Sequence, residues 1–219
     1  MKIAIIGAGR VGVALGERWK AAGHAISFGV RDPKADAYFD LRVEFSDSAI
    51  SNNRAAARSS DVVLIATPWG KAESAVQSCG DLSGKVVLDA TNPVSFDGGE
   101  EMLLMGHTTS AGEQVAEWAI GAFVYKTLNQ VGVEVMVNPV FGTERAVMMF
   151  AGSAADAPKS IVAALLADLE FDAVYIGDIS KARLLEPLGM VWIHGALNMG
   201  LGRNWAFVRA VKSPDPAQN

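Results

Sequence analysis

Cysteine is nearly absent. Cys79 stands alone among 219 residues, so no disulfide can close within the chain and no cysteine-rich metal cluster can be built. A lone thiol suits a reducing compartment, and its ordinary role is that of a small hydrophobe near a helix end. Runs of Lys or Arg are also missing, as is any basic stripe interleaved with aromatics. With a formal net charge of −5, the chain lacks the electrostatic footprint of a nucleic-acid-binding protein. Long apolar runs are wanting too. The stretch 3–6 is far too short for a membrane span or a signal-peptide core and runs directly into glycines. These absences lead us to expect a soluble, cytoplasmic protein with no nucleic acid or membrane as partner and no metal site. There is no internal repeat or low-complexity tract.

Half of the residues are hydrophobic, enough for one substantial core with a small appended element. Short β-branched runs alternate with amphipathic stretches, the pattern of an α/β, Rossmann-type doubly wound fold with a mainly parallel sheet. Strands are expected at 3–6, 25–30, 61–66, 85–89, 123–126, 146–150 and 173–176, with a further short one at 43–45. Helices are expected at 10–22, where Val11, Leu15 and Trp19 recur at helical spacing before Gly23, and at 53–59, 69–79, 110–119 and 159–169. Ser110 and Glu113 give the fourth of these a capping-box start. The stretch 95–106, rich in glycine, acid and methionine, reads as a loop. From Ser180 to about Val211 comes a long, largely helical apolar extension, with Pro187, Gly195, Gly200 and Gly202 predicting a kink or break. The tail 212–216 reads as disordered.

The first chemical signal is Gly7-Ala8-Gly9-Arg10-Val11-Gly12. Such a glycine pattern is weak alone, but here it leaves a buried strand, enters a helix and is followed on schedule by a second strand. Gly7 permits the tight turn, Gly9 lets the backbone approach a diphosphate, and Gly12 lets the helix lie close on the sheet. The helix N-terminus then offers free N–H groups to the phosphates. Where an NAD site usually places an acidic residue for the ribose, the sequence reads Phe28-Gly29-Val30-Arg31-Asp32. A small neutral residue replaces the carboxylate, and Arg31, with Lys34 as a second charge, suits a 2′-phosphate. Asp32 points the other way: it can pair with Arg31, or serve NAD itself if the strand ends one residue later. Charge favours NADP.

Open α/β sheets bind ligands where their strands end, so two further segments become candidates. Thr67-Pro68-Trp69 offers a hydroxyl, a rigid backbone and an aromatic face, while Thr91-Asn92-Pro93 offers an amide that could orient a carboxamide. Trp69 could equally just open a helix and pack, and Asn92 could simply make a turn. For proton handling the polar candidates are Lys126, Asn129 and His194, taken as the catalytic set; His107, at a helix start, could approach the coenzyme or simply cap. Each has an ordinary alternative: a solvated lysine, a loop amide, a satisfied core histidine.

With these residues in place, the chain resembles the NADPH-dependent coenzyme F420 oxidoreductases, which pass hydride between NADP(H) and a 5-deazaflavin. Besides the glycine loop and Thr67-Pro68-Trp69, the likeness rests on Val124-Tyr125-Lys126-Thr127-Leu128-Asn129 and Ala182-Arg183-Leu184-Leu185-Glu186-Pro187-Leu188. The resemblance implies phosphate contacts at Gly9, Arg10 and Val11, a 2′-phosphate contact at Arg31, and Trp69 and Asn92 near the coenzyme. Val30 stands where the family usually has serine, and Asn129 where archaeal members have a histidine near the deazaflavin. The same domain type also supplies electrons for metal reduction in membrane metalloreductases. The implied division is 1–178 as an NADP-binding Rossmann-like domain and 179–219 as a helical segment for the acceptor pocket and a homodimer contact. The implied partner is a small-molecule electron acceptor: coenzyme F420 or a flavin, with a ferric or metal chelate or a small carbonyl or imine as alternatives. A β-hydroxyacid or imine reductase needs a longer helical substrate domain than about forty residues allow. A non-catalytic NADP(H)-binding redox sensor is the rival outside the enzyme class.

Overall fold

Alternation along the first strand sets the layering. In the computed structural model, which describes residues 1–96 and 101–212, β1 (Lys2–Ile6) sends Ile3 and Ile5 into one apolar cluster and Ala4 and Ile6 into another. A strand buried on both faces belongs inside a parallel sheet. The chain continues through α1 (Arg10–Ala21), β2 (Ala25–Gly29), α2 (Phe39–Phe45), β3 (Ile50–Ser51), α3 (Asn53–Arg58) and β4 (Val62–Ile65). Then follow α4 (Ala72–Ser78), β5 (Val86–Asp89), a hairpin of β6 (Val94–Ser95) and β7 (Met102–Leu103), α5 (Ala111–Trp118) and β8 (Phe123–Lys126). The remainder comprises α6 (Val133–Val137), a second hairpin of β9 (Val140–Phe141) and β10 (Glu144–Arg145), β11 (Val147–Gly152), α7 (Asp156–Asp168), β12 (Asp172–Tyr175) and α8 (Ala182–Leu197).

Eight strands make one sheet in the order β12-β11-β8-β5-β4-β1-β2-β3, parallel except where β11 meets β8. The order reverses between β1 and β4, and a crevice opens above such a reversal. β11 overlaps β8 only through Ala151 and Gly152, so residues 147–150 stand beyond the end of β8.

One layer packs Ile3, Ile5, Leu64 and Leu88 against helical residues that include Leu15, Trp19 and Leu165. Trp19 is fully buried and its Nε1 donates to the Leu165 carbonyl at 3.0 Å, pinning α1 to α7. The opposite layer packs Ala4, Ile6, Val63 and Val87 against Ala57, Val76, Cys79 and Val115. Burial there pushes the Cys79 thiol up to about 12, so it is neutral and unreactive at physiological pH.

The doubly wound, mainly parallel sheet with a C-terminal helix is the architecture that the alternation implies. Four details differ. The stretch 43–45 lies in α2 rather than in a strand; Leu41 and Phe45, four apart, turn inward while Val43 is 73% exposed, and the third strand is Ile50–Ser51. The helix expected at 69–79 begins as a 3-10 turn, Trp69–Lys71, before α4. Within 95–106, β6 pairs with β7, and 97–100 lie outside the described residues. Finally, α8 runs on through Pro187 but stops at Leu197. Beyond it Gly200 and Gly202 both take φ of 70°, and the chain doubles back so that Trp205 stacks on Trp192 and Val208 bridges to Ala146. Of the tail 212–216, residues from 213 onward lie outside the described residues. Among the described residues, no helix is long and apolar enough to cross a membrane.

Candidate functional site

The glycine loop is built around two close approaches. Gly7 has φ of 111°, and a methyl group there would lie 2.6 Å from the Ala66 carbonyl oxygen at the end of β4. Gly12, inside the first turn of α1, lies so close to the loop that a methyl group would sit 2.2 Å from the Gly7 carbonyl oxygen. Gly9 is different: at the N-cap of α1, it has φ of −84°, and a methyl group would meet nothing within 4 Å. No side chain caps this helix start, so the N–H groups of Arg10, Val11 and Gly12 have no partner within the helix and the positive end of its dipole is uncovered.

A cavity of about 730 Å³ opens here, lined by Gly7, Ala8, Gly9 and, just past the ends of β2 and β4, Val30, Arg31, Thr67 and Pro68. Thr67 Oγ1 is buried beside it without a partner among the described residues. A protein-free gap over Gly9, unpaired N–H groups and an arginine on the rim match a coenzyme diphosphate with an additional phosphate.

The end of β2 excludes a carboxylate at its last position. A side chain on Gly29 would collide with Ile6 at 2.7 Å and Asn53 at 2.9 Å. Val30 is buried and its N–H donates to the Ser51 carbonyl, which leaves Arg31 as the first exposed side chain at the cavity. Asp32 Oδ1 accepts the Lys34 N–H at 3.1 Å, so it shapes the following turn; neither residue is part of the cavity wall. Sequence reasoning missed the opposite wall, where Tyr38, Asn53, Lys71 and Ser78 face the cavity. The spacing of Ser74 and Ser78, four apart on α4, was the available signal.

Other candidates lie outside this cavity wall. Arg10 reaches outward to Glu134 Oε1 at 3.1 Å, and the same oxygen accepts from Arg203 at 2.8 Å. Hydrogen bonding from Arg203 holds the Glu134 carboxyl below the usual carboxylate range. Trp69 stacks on Trp118 at 5.5 Å between ring centres. His107 has φ of 59° and is exposed. His194, on the outer side of α8, pairs with Glu101, and Asn198 also bonds that carboxylate.

The third group of candidates converges on a buried charge cluster. Lys126 is 0% exposed; Nζ donates to Asp89 Oδ2 at 2.9 Å and to the Thr91 carbonyl at 2.5 Å, and lies 3.3 Å from Glu186 Oε1. The first two are hydrogen bonds and the third is an ion pair. Asp89 and Lys126 are register partners at the ends of adjacent strands. Glu186, from α8, accepts the Ala111 and Gly112 N–H groups at the start of α5, each at 3.0 Å. Burial pushes its carboxyl up, opposed by Lys126. Asn92 and Asn129 exchange hydrogen bonds: Asn92 Nδ2 donates to the Asn129 carbonyl at 2.9 Å, and Asn129 Nδ2 to Asn92 Oδ1 at 3.1 Å. Leu128, before it, is fully buried with φ of 58°, a strained turn for a branched side chain. Pro93 is buried and its carbonyl accepts the Leu104 N–H. Neither Asp89 nor Glu186 was foreseen, although an aspartate ending the apolar run Val86-Val87-Leu88 and a glutamate within an apolar helix are the signals that could have found them.

The solved structures decide the family. A protein of Arthrobacter sp. FB24, provisionally described as an F420-dependent NADP reductase, is 32% identical, with 96% of this chain and 100% of that chain covered and a TM-score of 0.87. The chain belongs to the coenzyme F420-dependent NADP oxidoreductases. The family described as "NADP oxidoreductase coenzyme F420-dependent" also matches residues 2–93 directly. A hypothetical protein from Sinorhizobium meliloti is 26% identical over 97% of this chain and 96% of its own, with a TM-score of 0.70. A reductive aminase from Aspergillus terreus, solved with NADPH and ethyl levulinate, shares the fold at 20% identity and a TM-score of 0.66. The match covers 91% of this chain but only 62% of the aminase. A search of the curated proteins returns no match.

As a member of the F420-dependent NADP oxidoreductase family, the chain is an NADP-dependent oxidoreductase, and NADP(H) is its coenzyme.

Proposed function

We propose that the protein transfers hydride between NADP(H) and a flavin-like small-molecule acceptor, with a deazaflavin of the F420 type as the first candidate. The observation that carries this reading is the adjacency of the parallel strands β1, β4 and β5, whose carboxyl ends set the glycine loop, Thr67-Pro68 and the Ala90–Pro93 turn along one edge of the sheet. In this reading the amides of residues 9–12 and Gly7, Ala8 and Thr67 hold the diphosphate. Arg31, aided by Lys34, holds the 2′-phosphate, and Thr91, Asn92 and Pro93 border the nicotinamide, with Trp69 and Pro68 backing the strand ends.

NADP(H) supplies or takes up the hydride when bound. The chain itself has mainly to stack two rings at short range and keep water out, because positioning supplies much of the rate in such a transfer. None of Lys126, Asn129 and His194 is assigned a proton transfer: the first two have their polar atoms engaged by protein groups, and the third pairs with Glu101 on the outer side of α8. A proton that accompanies the hydride comes from solvent.

Oxidation of NADPH followed by absorbance with F420, flavins, ferric chelates and a cyclic imine in turn tests the acceptor; no turnover with any of them would support the non-catalytic sensor instead. Replacing Arg31 by alanine should weaken NADPH by about ten- to a hundredfold, the worth of a charge-assisted hydrogen bond, and leave NADH nearly unchanged. Equal losses for both coenzymes would remove the 2′-phosphate assignment.

The same reading includes a homodimer and a cytoplasmic setting, the latter in keeping with a single buried thiol. Segment 179–219, beside domain 1–178, would form both the dimer contact and a wall of the acceptor pocket. Leu184 and Val191 on the outer side of α8 are 63% and 56% exposed, an apolar face that a second copy would cover. Sedimentation showing only monomer at micromolar concentration would refute the dimer.

A further inference from the structure

We infer that Lys126 and Glu186 are positioning residues for the nicotinamide half of the coenzyme, acting through a closed ring of contacts that fixes the turn after β5. The inference rests on the reading above that the nicotinamide lies at this turn.

The ring starts at Thr91. Its N–H and Oγ1 both donate to Asp89 Oδ1, at 2.9 and 2.7 Å, while its carbonyl accepts from Lys126. Every polar atom of this residue is therefore held by the Lys126–Asp89 pair. Asn92 comes next, and its amide is locked to Asn129 by the reciprocal bonds described above. Asn129 Nδ2 also donates to the Leu185 carbonyl at 3.0 Å, which brings the ring to α8. Glu186, one residue on, returns it to Lys126. Gly189 marks the tightness of the closure, since a methyl group there would stand 2.7 Å from the Asn129 carbonyl oxygen and 3.0 Å from Asn92 Oδ1.

Stability alone does not account for such a cluster. Three ionisable side chains at 0–1% exposure carry a large desolvation cost, and apolar residues of similar volume commonly replace buried ion pairs without loss. What an apolar replacement cannot do is dictate the direction of the Thr91 carbonyl and, through it, the plane of the Asn92 amide. The cluster sits where that direction matters, at the carboxyl end of β5 beside the coenzyme crevice. Lys126 and Glu186 are too deep to touch the coenzyme, so their influence passes through Thr91, Asn92 and α8.

The test uses two variants, Glu186→Gln and Asp89→Asn, each titrated calorimetrically with adenosine 2′,5′-bisphosphate and with NADPH, and the emission spectrum of bound NADPH. Adenosine 2′,5′-bisphosphate carries the adenine half of the coenzyme and no nicotinamide. Its affinity should be unchanged, while NADPH should bind about tenfold more weakly, its nicotinamide emission moving toward that of the free coenzyme. Unchanged NADPH affinity and emission in the folded variants would overturn the proposal; so would equal losses for both ligands, which signify a merely structural role. If Glu186→Gln fails to fold, Asp89→Asn, which keeps the shape of the side chain and removes the charge that holds Lys126 Nζ, decides the matter. Failure of the parent protein to bind the bisphosphate would remove the coenzyme site itself, and the proposal with it.

Discussion

Lys126→Ala is expected to lose about 3–5 kcal/mol of unfolding free energy, the usual cost of removing one partner from a buried ion pair. The side chain is fully buried, and its removal leaves Asp89 and Glu186, at 0% and 1% exposure, without a cation. Thr91 still donates to Asp89, and two backbone N–H groups still donate to Glu186, which keeps the loss within that range. The pH dependence has a definite sign. The Glu186 carboxyl already titrates above its ordinary value because of burial, so the folded state binds this proton more tightly than the unfolded chain does. Its contribution is most favourable below the ordinary carboxylate value and declines as pH rises through the raised one. Without Lys126 that decline steepens, so the variant's deficit should narrow as the solution is acidified. Urea unfolding of parent and variant at neutral and mildly acidic pH measures both effects. A loss below about 1 kcal/mol, the worth of an exposed pair, would show that the cluster is not buried as described.

Gly12→Ala and Gly9→Ala should separate folding from coenzyme binding. In the first, the new methyl group lies 2.2 Å from the Gly7 carbonyl oxygen and 3.1 Å from Ile5, so α1 has to move off the sheet. Overpacking of this kind costs about 1–3 kcal/mol and displaces the amides proposed to meet the diphosphate, so stability and NADPH affinity should fall together. In the second, the methyl group meets no protein atom within 4 Å and the backbone has an ordinary negative φ. That variant should unfold like the parent yet bind NADPH at least about tenfold more weakly, because the methyl occupies the approach of the diphosphate. Parent-like NADPH affinity in Gly9→Ala, measured by calorimetry, would mean that the diphosphate lies elsewhere.

The parts of the fold legible in the sequence were those in which burial is nearly total. The runs 3–6 and 62–65 are 0% exposed throughout, so their continuous apolar character could only be central strand. Partial burial defeated the same reasoning at 43–45: a β-branched residue two positions before an aromatic suggested a strand, but Phe45 turns inward to pack edge-on against Phe28 at 4.9 Å while Val43 faces water. The extent of α8 was misread for a related reason. Residues beyond 197 remain partly apolar because Trp205 and Phe207 pack back on the domain, and apolar content does not distinguish a continuing helix from a returning strand of chain.

At the site, the glycine loop was legible because its spacing encodes backbone geometry, which Gly7 and Gly12 carry locally. The charge cluster was not, because it joins residues from 89 to 186 that become neighbours only through sheet order. His194 shows the reverse: its apolar neighbours in sequence suggested burial, but its side chain is 55% exposed, since α8 is apolar on its outer side as well.

The offset of β11 against β8 has a consequence for how the chain leaving β8 is held. Since only Ala151 and Gly152 lie alongside β8, the earlier part of the strand rises past the sheet's rim, braced by β12 and by the Gln130 amide on Met149. Met148 and Phe150 on this stretch are buried, so the overhang has no open face of its own and serves as a backing for residues 127–130, which hydrogen-bond to Met149.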